Sequence, residues 1–508
     1  MLNFLSLTTM FFVSLAVAAL SAVLLLHPRV PLTFVRIHTG IITLPALTAL
    51  VSLITNHTNG IFGPWHFDAL GWLMAFFILT ISLIVQRYSV RYLLGERSYR
   101  KYFALLTLTT GAASMTWLCN DFRLLLACWA ATLLGMTLLI GLNREWQVAR
   151  KAASFSGRQF LLSWLFLFVA IIWLAQVSGH WQFSLAISDD GLRQLDSWER
   201  TGINLLLVLA VVIPAAQWPF HRWLLDSAVA PTPVSAVMHA GFVNVGGIML
   251  TRFAPLLSGD FAQIFLLVLA SISVLLGTGI MLVQVDYKRQ LVASTIAQMG
   301  FMLVQCALGA YEAAIIHLIL HGLFKAGLFM QTGSAVRHYE RISRTPDRLS
   351  FFWKVVGGVL GLLVGVVYWL TAPGEGYQLI SSLILGWSLS FAWTQMIAYG
   401  QGTIERMAGF SVVAGMALVF GFIHYVLSGV LHQAVYQHTQ PSMLVAIFAL
   451  FILLSCNTIG AWLGRHASSG SFAVLYLWLV RLGDPHPVTV ESHPNYLVKY
   501  ISRGGNYK

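Results

Sequence analysis

The sequence has few charged residues for its length. Only 9% of its 508 residues are Asp, Glu, Lys or Arg, whereas a soluble domain carries about 25%. Hydrophobic residues make up 58% of the chain, and the mean hydropathy is +0.77. This composition excludes an ordinary soluble enzyme and predicts an all-α protein that crosses a membrane many times.

The sequence also lacks the motifs of a cofactor or metal protein. Its four cysteines fall in or beside apolar stretches with no C-x-x-C pair, which favours buried small side chains over a disulfide or metal site; they are Cys119, Cys128, Cys306 and Cys456. No glycine-rich nucleotide fingerprint or haem motif is present, and the histidines lack the spacing of zinc ligands. We therefore expect no cofactor and no metal in this chain.

Apolar stretches long enough to span a membrane follow one another along the chain. A window of about 19 residues predicts about 15 transmembrane helices. They lie at 5–26, 32–55, 66–86, 102–119, 122–142, 159–178, 203–220, 230–251, 261–284, 290–309, 313–333, 352–371, 378–399, 408–430 and 442–463. We expect a membrane domain at 1–465 and a short tail at 466–508. The apolar piece of the tail, 472–482, is too short to span a membrane, which predicts that it lies in the interface or packs on a partner.

The loop charges predict the orientation. Basic residues cluster after odd-numbered spans, at 87–101, 143–158, 288–289 and 334–354, whereas loops after even spans are neutral or acidic, as in "ISDDGLRQLDSWER" at 187–200. Basic loops stay in the cytoplasm, so the N-terminus is expected outside and the C-terminus inside. This bias explains most of the net charge of +12, and no nucleic-acid partner is needed to account for it.

Three ionisable residues recur at every fourth position of the stretch "HLILHGLFKAGLFM", 317–330. This spacing places His317, His321 and Lys325 along one stripe of a helix. Ionisable groups inside a membrane are costly and mark ion pathways. Imidazole both accepts and donates protons, and desolvation makes a lysine release its proton more readily. We therefore predict a proton relay; the alternative is that the histidines only bond across helices and Lys325 reaches the membrane surface.

A second stretch, "PAAQWPFHRWLLDSAVAPTPVSAVMHAGFVNVGG" at 214–247, contains four prolines that should break helices. Broken helices at membrane depth persist where water or protein bonds the freed backbone groups. His239, in the span that follows, is predicted to extend the relay; the alternative is a hydrogen-bonded core histidine. His221 and Asp226 are expected near the cytoplasmic mouth.

A third stretch, "DYKRQLVASTIAQMGFM" at 286–302, begins with charged residues and continues with small and polar ones. Ser294, Thr295 and Gln298 are suited to bond neighbouring helices or to hold water. Lys288 is assigned either to the cytoplasmic mouth of the pathway or to anchoring the topology.

Together, the three stretches resemble the antiporter-like membrane subunits of respiratory complex I and of multisubunit cation/proton antiporters, over roughly residues 65–335. The resemblance implies an antiporter-like bundle of two inverted repeats. It also implies that Lys325, His317, His321 and His239 belong to a polar axis that conducts protons.

The sequence departs from this family in two charged positions. Where the family has a glutamate after a tryptophan, "CWAATLLGM" has Ala130, and where it has a lysine in the broken helix, this chain has Pro214. Losing both partners of an ion pair leaves no unpaired buried charge. The long lateral helix of the complex I subunit is also not apparent.

A shorter branch of the family is more similar: the membrane subunits of DAB-type inorganic carbon transporters, which "NREWQVARKAASFSGRQFLLSW" at 143–164 and the "GDPHP" of the tail resemble. This resemblance implies a bacterial cytoplasmic membrane and a large cytoplasmic partner, a zinc-containing subunit like carbonic anhydrase. Flow of H⁺ or Na⁺ through the membrane subunit would drive carbon dioxide hydration in that partner, so this chain is expected to be a transporter subunit and not an enzyme.

Two other functions remain open from the sequence. The chain is alternatively a proton-pumping subunit of a quinone oxidoreductase, although Ala130 and Pro214 argue against it. It is alternatively a membrane anchor that conducts nothing. The row of ionisable residues His317, His321 and Lys325, called the ladder below, argues against this alternative.

Overall fold

The computed structural model describes residues 2–55, 60–332, 351–371, 403–431 and 469–484, with a few further positions between 382 and 451. Most of this length is helical. The helices are α1 (Leu2–Leu25), α2 (Phe34–Ile41), α3 (Thr43–Thr55), α4 (Ala69–Tyr92), α5 (Tyr99–Thr116), α6 (Phe122–Ile140), α7 (Gln147–Ser178), α8 (Phe183–Ala186), α9 (Asp189–Leu192), α10 (Ser197–Val212), α11 (Arg222–Asp226), α12 (Thr232–Ala240), α13 (Val245–Arg252), α14 (Ala254–Leu257), α15 (Phe261–Val283), α16 (Tyr287–Ala307), α17 (Tyr311–Gln331), α18 (Phe351–Thr371), α19 (Thr403–Leu431) and α20 (Gly470–Gly483).

A small antiparallel hairpin, β1 (Gly60–Phe62) and β2 (Trp65–Phe67), closes one end of the bundle. The sequence did not predict it, because two strands of three residues are too short to give a periodic pattern. We call this end of the bundle the hairpin end. The opposite end, where Lys288 and Arg289 lie in the first turn of α16, is called the basic end.

Nine stretches of the described residues are long and apolar enough to cross a membrane. They are α1, α2 with α3, α4, α6, α7, α12 with α13, α15, α16 and α17. This confirms the prediction of a multi-pass helical membrane protein. Four more predicted spans overlap α5, α10, α18 and α19. The predicted spans 378–399 and 442–463 lie largely outside the described residues.

Two predicted boundaries are wrong. The loop expected at 143–158 is helical from Gln147 onward, because no proline interrupts the start of α7. The span expected at 203–220 ends already at Val212. Residues 213–221, which include Pro214 and Pro219, are irregular, because proline fixes its own backbone torsion and donates no hydrogen bond.

Aspartates fix where several helices begin. Asp68, Asp121, Asp260 and Asp286 each accept a hydrogen bond from a backbone N–H in the first turn of α4, α6, α15 and α16. Such a cap satisfies one of the four N–H groups that a helix start leaves free. The charged caps therefore lie at the ends of apolar helices rather than within them.

A broken helix, formed by α12 and α13 and called the broken helix below, lies in the middle of the bundle. Its first half, α12, packs against α4 and α17, while α16 packs against α15 and α17. In addition to the irregular stretch 213–221, the backbone breaks between α12 and α13, where Gly241 precedes a short 3₁₀ turn, Phe242–Asn244. This second break was not predicted. It places irregular backbone directly beside the helix that carries the ladder.

The C-terminal helix α20 packs against α15 near the basic end. Gly279 permits this contact, because a Cβ at that position would lie 2.8 Å from Cδ2 of Leu479. With 14 residues, α20 is too short to span a membrane. The apolar piece predicted at 472–482 therefore forms one helix, and one face of this helix packs against α15 of the bundle.

Candidate ion-conducting site

The ladder faces the interior of the bundle. His321 and Lys325 on α17 are 7% and 1% exposed, His317 is half-buried, and the ring centroids of the two histidines are 6.0 Å apart. The predicted stripe is therefore present. Lys325 is enclosed by the bundle, which argues against the alternative that it reaches the membrane surface.

One backbone carbonyl joins the ladder to the neighbouring helix α16. Nζ of Lys325 donates a hydrogen bond of 2.8 Å to the carbonyl oxygen of Leu291 on α16. The hydroxyl of Thr295 donates to the same oxygen at 3.0 Å and lies 3.0 Å from Nδ1 of His239. Thr295 thus links α16 to His239 on the broken helix.

His239 belongs to this cluster and is completely buried. Its ring stacks on Phe329 with the centroids 4.3 Å apart. It interacts electrostatically with Lys325, His321 and Lys288. Nε2 of His239 and both ring nitrogens of His321 have no hydrogen-bond partner among the described residues. Buried imidazole nitrogens without partners are uncommon in a purely structural core, so these rings are suited to exchange protons.

The residues predicted at the cytoplasmic mouth separate into two places. Lys288 donates a hydrogen bond of 2.6 Å from Nζ to the carbonyl oxygen of Ala230, just before α12, and so belongs with His239. Asp226 is buried at the end of α11.

His221 lies elsewhere, with its ring beside the backbone carbonyl of Leu482 on α20. Burial lowers the pKa of His221; the Leu482 carbonyl offsets part of this effect, and Arg222 adds to it. His221 is therefore held neutral at the contact between the membrane bundle and the C-terminal helix.

The positions of the missing charged pair contain no substitute charge. Ala130 lies on α6, and Pro214 lies in the irregular stretch after α10. Next to Ala130, the ring of Trp129 stacks on Phe242 with the centroids 5.8 Å apart. An aromatic contact thus lies beside the place where the family has its glutamate.

Sequence reasoning missed several polar partners. His317 Nδ1 lies 3.1 Å from Oε1 of Gln305 on α16. Asn244, at the second helix break, is buried, and its Oδ1 has no partner among the described residues. Its position in an otherwise apolar run was the one signal that pointed to it. The carbonyl of Leu291 has no signal in the sequence at all.

In the part of the chain that the structure describes, no group of three or more His, Cys, Asp or Glu side chains is placed to hold a metal ion. Cys119, Cys128 and Cys306 are buried free thiols, and Cys456 lies outside the described residues. The chemistry that the cluster offers is proton exchange between buried lysine, histidine and hydroxyl groups.

Comparisons with known proteins place the chain in a family. The model of the NADH:quinone oxidoreductase/Mrp antiporter transmembrane domain matches residues 119–405. The model of the N-terminus of complex I chain 5 matches residues 64–103. Both matched segments include helices that line the site, among them α4, α12 and α17.

Two curated relatives match over nearly their whole length. The probable inorganic carbon transporter subunit DabB of Bacillus subtilis (strain 168) is 61% identical over 497 residues, 98% of each chain. The subunit of the same name in Bacillus anthracis is 56% identical over 501 residues, 99% of this chain and 98% of the relative.

A solved structure supports the fold. The Mrp complex from Dietzia sp. DQ12-45-1b matches with a TM-score of 0.64 at 22% sequence identity, over 98% of this chain and 61% of the longer chain. With the matched family models and the two Bacillus relatives, the evidence leads to one assignment: the chain belongs to the antiporter-like membrane subunits of the complex I and Mrp family, within its branch of DabB inorganic carbon transporter subunits.

Proposed function

We propose that this chain is the ion-conducting membrane subunit of a complex that accumulates inorganic carbon in a bacterial cell. Cation flow through the chain would be coupled to carbon dioxide hydration in a large partner subunit on the cytoplasmic side. That partner would be zinc-containing and like carbonic anhydrase, and it would carry out the catalysis. The names of the Bacillus relatives, inorganic carbon transporter subunits, support this assignment.

The burial of Lys325 is the observation that carries the proposal. The residue is 1% exposed, and its ammonium group bonds a carbonyl oxygen. None of the three ion pairs among the described residues includes it. A buried cation without a carboxylate is expensive in a membrane and is retained for function. His321 and His239 near it, and His317 next to His321, provide groups that accept and release protons.

The coupling ion is H⁺ or Na⁺. The cluster of lysine, imidazole and hydroxyl groups favours H⁺, because these groups exchange protons, whereas hard cations are usually bound by several oxygen ligands. The basic end would face the cytoplasm, with the N-terminus outside and the C-terminus inside, since basic residues concentrate at that end of the bundle.

The test replaces Lys325 with methionine. Lys325→Met keeps length and apolarity, so the helix loses a charge without gaining a cavity. We expect the variant to insert and assemble with its partner, yet to fail to restore growth in ordinary air to a strain that otherwise requires added carbon dioxide. Lys101→Met, which removes an exposed lysine of α5, is the matched control and should restore growth. Growth of Lys325→Met equal to that of the control would refute conduction through the ladder. Repeating the assay without sodium distinguishes H⁺ from Na⁺.

A further inference from the structure

A second cluster of charged groups, partly buried, lies at the hairpin end, where the broken helix ends. Arg252, the last residue of α13, forms an ion pair with Asp68; Nη2 donates to Oδ1 at 2.7 Å and also to the carbonyl oxygen of Trp117 at 2.8 Å. The two side chains are 12% and 16% exposed. The other two ion pairs of the described residues, Arg97–Glu145 and Arg193–Asp190, lie on the surface.

A small cavity adjoins this pair. His66, on β2, and Arg252 line it together with Trp117 and Met249, and its volume is about 10 Å³. A single water molecule needs about 10–15 Å³. Burial lowers the pKa of His66, the Asp68 carboxylate raises it, and the Arg252 guanidinium lowers it. An ionisable ring therefore stands between the surface and a space of about the size of one water.

The other titratable group on the wall of this cavity is the thiol of Cys119. Its contact with the Cys128 thiol, together with burial, raises the pKa of Cys119. The thiol is thus protonated near neutral pH and contributes no charge. Asp68, Arg252 and His66 are the groups that set the electrostatics of the cavity.

Trp117 also lines a larger cavity, of about 50 Å³, in the middle of the bundle. This central cavity reaches Thr110 on α5, Asn244 at the helix break, and Leu318, which follows His317 on α17. Its volume exceeds what one water needs. Trp117 therefore lines both the cavity at the hairpin end and the central cavity, which Leu318 joins to the helix of the ladder.

We propose that His66, with the Asp68–Arg252 ion pair, forms the port through which protons pass between the hairpin end of the bundle and the ladder, and that Trp117 is the barrier between them. The proposal rests on the proposed function, because a port has a role only if the ladder conducts. It accounts for how protons reach the ladder in a chain that has Ala130 and Pro214 in place of the usual charged pair.

Each group has a separate task. A ring nitrogen of His66 accepts a proton from water at the hairpin end and gives it to water on the inner side. Burial disfavours the protonated ring, and Arg252 adds to this effect while Asp68 offsets part of it, so the ring releases its proton readily. Asp68 neutralises Arg252, which keeps the net charge of the port near zero while the ring is neutral. Trp117 prevents a continuous column of water between the two cavities.

The test measures proton uptake by right-side-out membrane vesicles that contain the full-length chain and its partner. His66→Gln preserves polarity but cannot titrate. We expect uptake to fall about tenfold or more, since a positioned proton carrier commonly contributes about 100-fold or more. We also expect the rise of uptake with falling external pH to disappear. His180→Gln, at an exposed residue of the same end, is the matched control and should behave like the parent chain.

Two further variants separate the possible failures. Trp117→Leu removes part of the proposed barrier, so proton leak should increase even without carbon dioxide; an unchanged leak would overturn the assignment of the barrier. Lys325→Met is measured in parallel. If Lys325→Met conducts like the parent, the proposed function fails. If Lys325→Met takes up no protons while His66→Gln keeps the parental uptake rate and pH profile, only the assignment of the port is overturned.

Discussion

Lys325 on α17 donates a hydrogen bond of 2.8 Å from its ammonium group to the backbone carbonyl oxygen of Leu291 on α16. The same oxygen accepts the hydroxyl of Thr295, which contacts His239. A carbonyl oxygen accepts hydrogen bonds but has no proton to pass on. The position of the ammonium group is therefore fixed by a group that cannot exchange protons. The neighbouring hydroxyl of Thr295 contacts the imidazole of His239, a group that can accept and donate protons.

The first prediction concerns Thr295. Thr295→Val has nearly the same shape but lacks the hydroxyl, so His239 Nδ1 loses its partner at a cost of about 1–3 kcal/mol of stability. We expect growth in ordinary air to fail while the protein still inserts. Thr295→Ser keeps the hydroxyl and should restore growth. Equal growth of the valine and serine variants, at equal protein levels on an immunoblot, would show that the hydroxyl has no part in conduction.

The second prediction distinguishes relay from scaffold along the ladder. His321 has no hydrogen-bond partner among the described residues, so His321→Gln breaks no bond and should leave assembly intact while it stops conduction. At His317, which bonds Gln305, glutamine can keep the contact. Gln305→Leu serves as the control for loss of that bond alone. Proton uptake by vesicles is the measurement, and normal uptake by His321→Gln would make the ring a structural group.

Part of this site could be predicted from the sequence. The spacing of four predicted the stripe of α17, and the prolines between 214 and 233 predicted the irregular backbone between α10 and α12. The break at Gly241 was missed, because a single turn inside an apolar run changes no periodicity. The bond from Lys325 could not be predicted, because every residue carries the same backbone carbonyl. The Asp68–Arg252 pair joins residues 184 apart in sequence, although an arginine in "GGIMLTRFAPLL" was a signal.

The third prediction concerns the partner subunit. Helix α20 buries Leu479 and Leu482 against the bundle, whereas Val474, Leu477 and Trp478 are 70%, 64% and 48% exposed. We expect this outer face to contact the partner, because an exposed aromatic and aliphatic patch on a short helix is typical of an interface.

The experiment changes that face alone. The triple variant Val474→Ser, Leu477→Ser and Trp478→Gln should insert normally and lose most of the co-purifying partner, since burial of one tryptophan at an interface can contribute about 2 kcal/mol or more. Trp198→Gln, at an exposed tryptophan of the hairpin end, is the control. Full recovery of the partner with the triple variant would mean that the face contacts the membrane interface instead.

The last prediction concerns the stability of the ion pair at the hairpin end. Burial raises the pKa of Asp68, but the Arg252 guanidinium outweighs this effect and holds it below its ordinary value of 3.8. A carboxyl whose pKa is lowered in the folded state stabilises the fold above that ordinary value, and the stabilisation is lost as the pH falls towards the lowered pKa. We therefore expect thermal stability in detergent to decrease below about pH 4 in the parent chain.

Removing one partner of this pair should lower the stability of the fold more than removing both. Arg252→Gln leaves the Asp68 carboxylate buried without its partner, which typically costs about 3–5 kcal/mol, whereas the double variant Asp68→Asn with Arg252→Gln should recover a part of the loss. The control is the surface pair Arg97–Glu145, with side chains 86% and 75% exposed. There, Glu145→Gln should cost less than about 1 kcal/mol. Thermal unfolding at pH 7 measures all of these variants, and an equal shift for Arg252→Gln and Glu145→Gln would show that the buried pair does not hold α4 to α13.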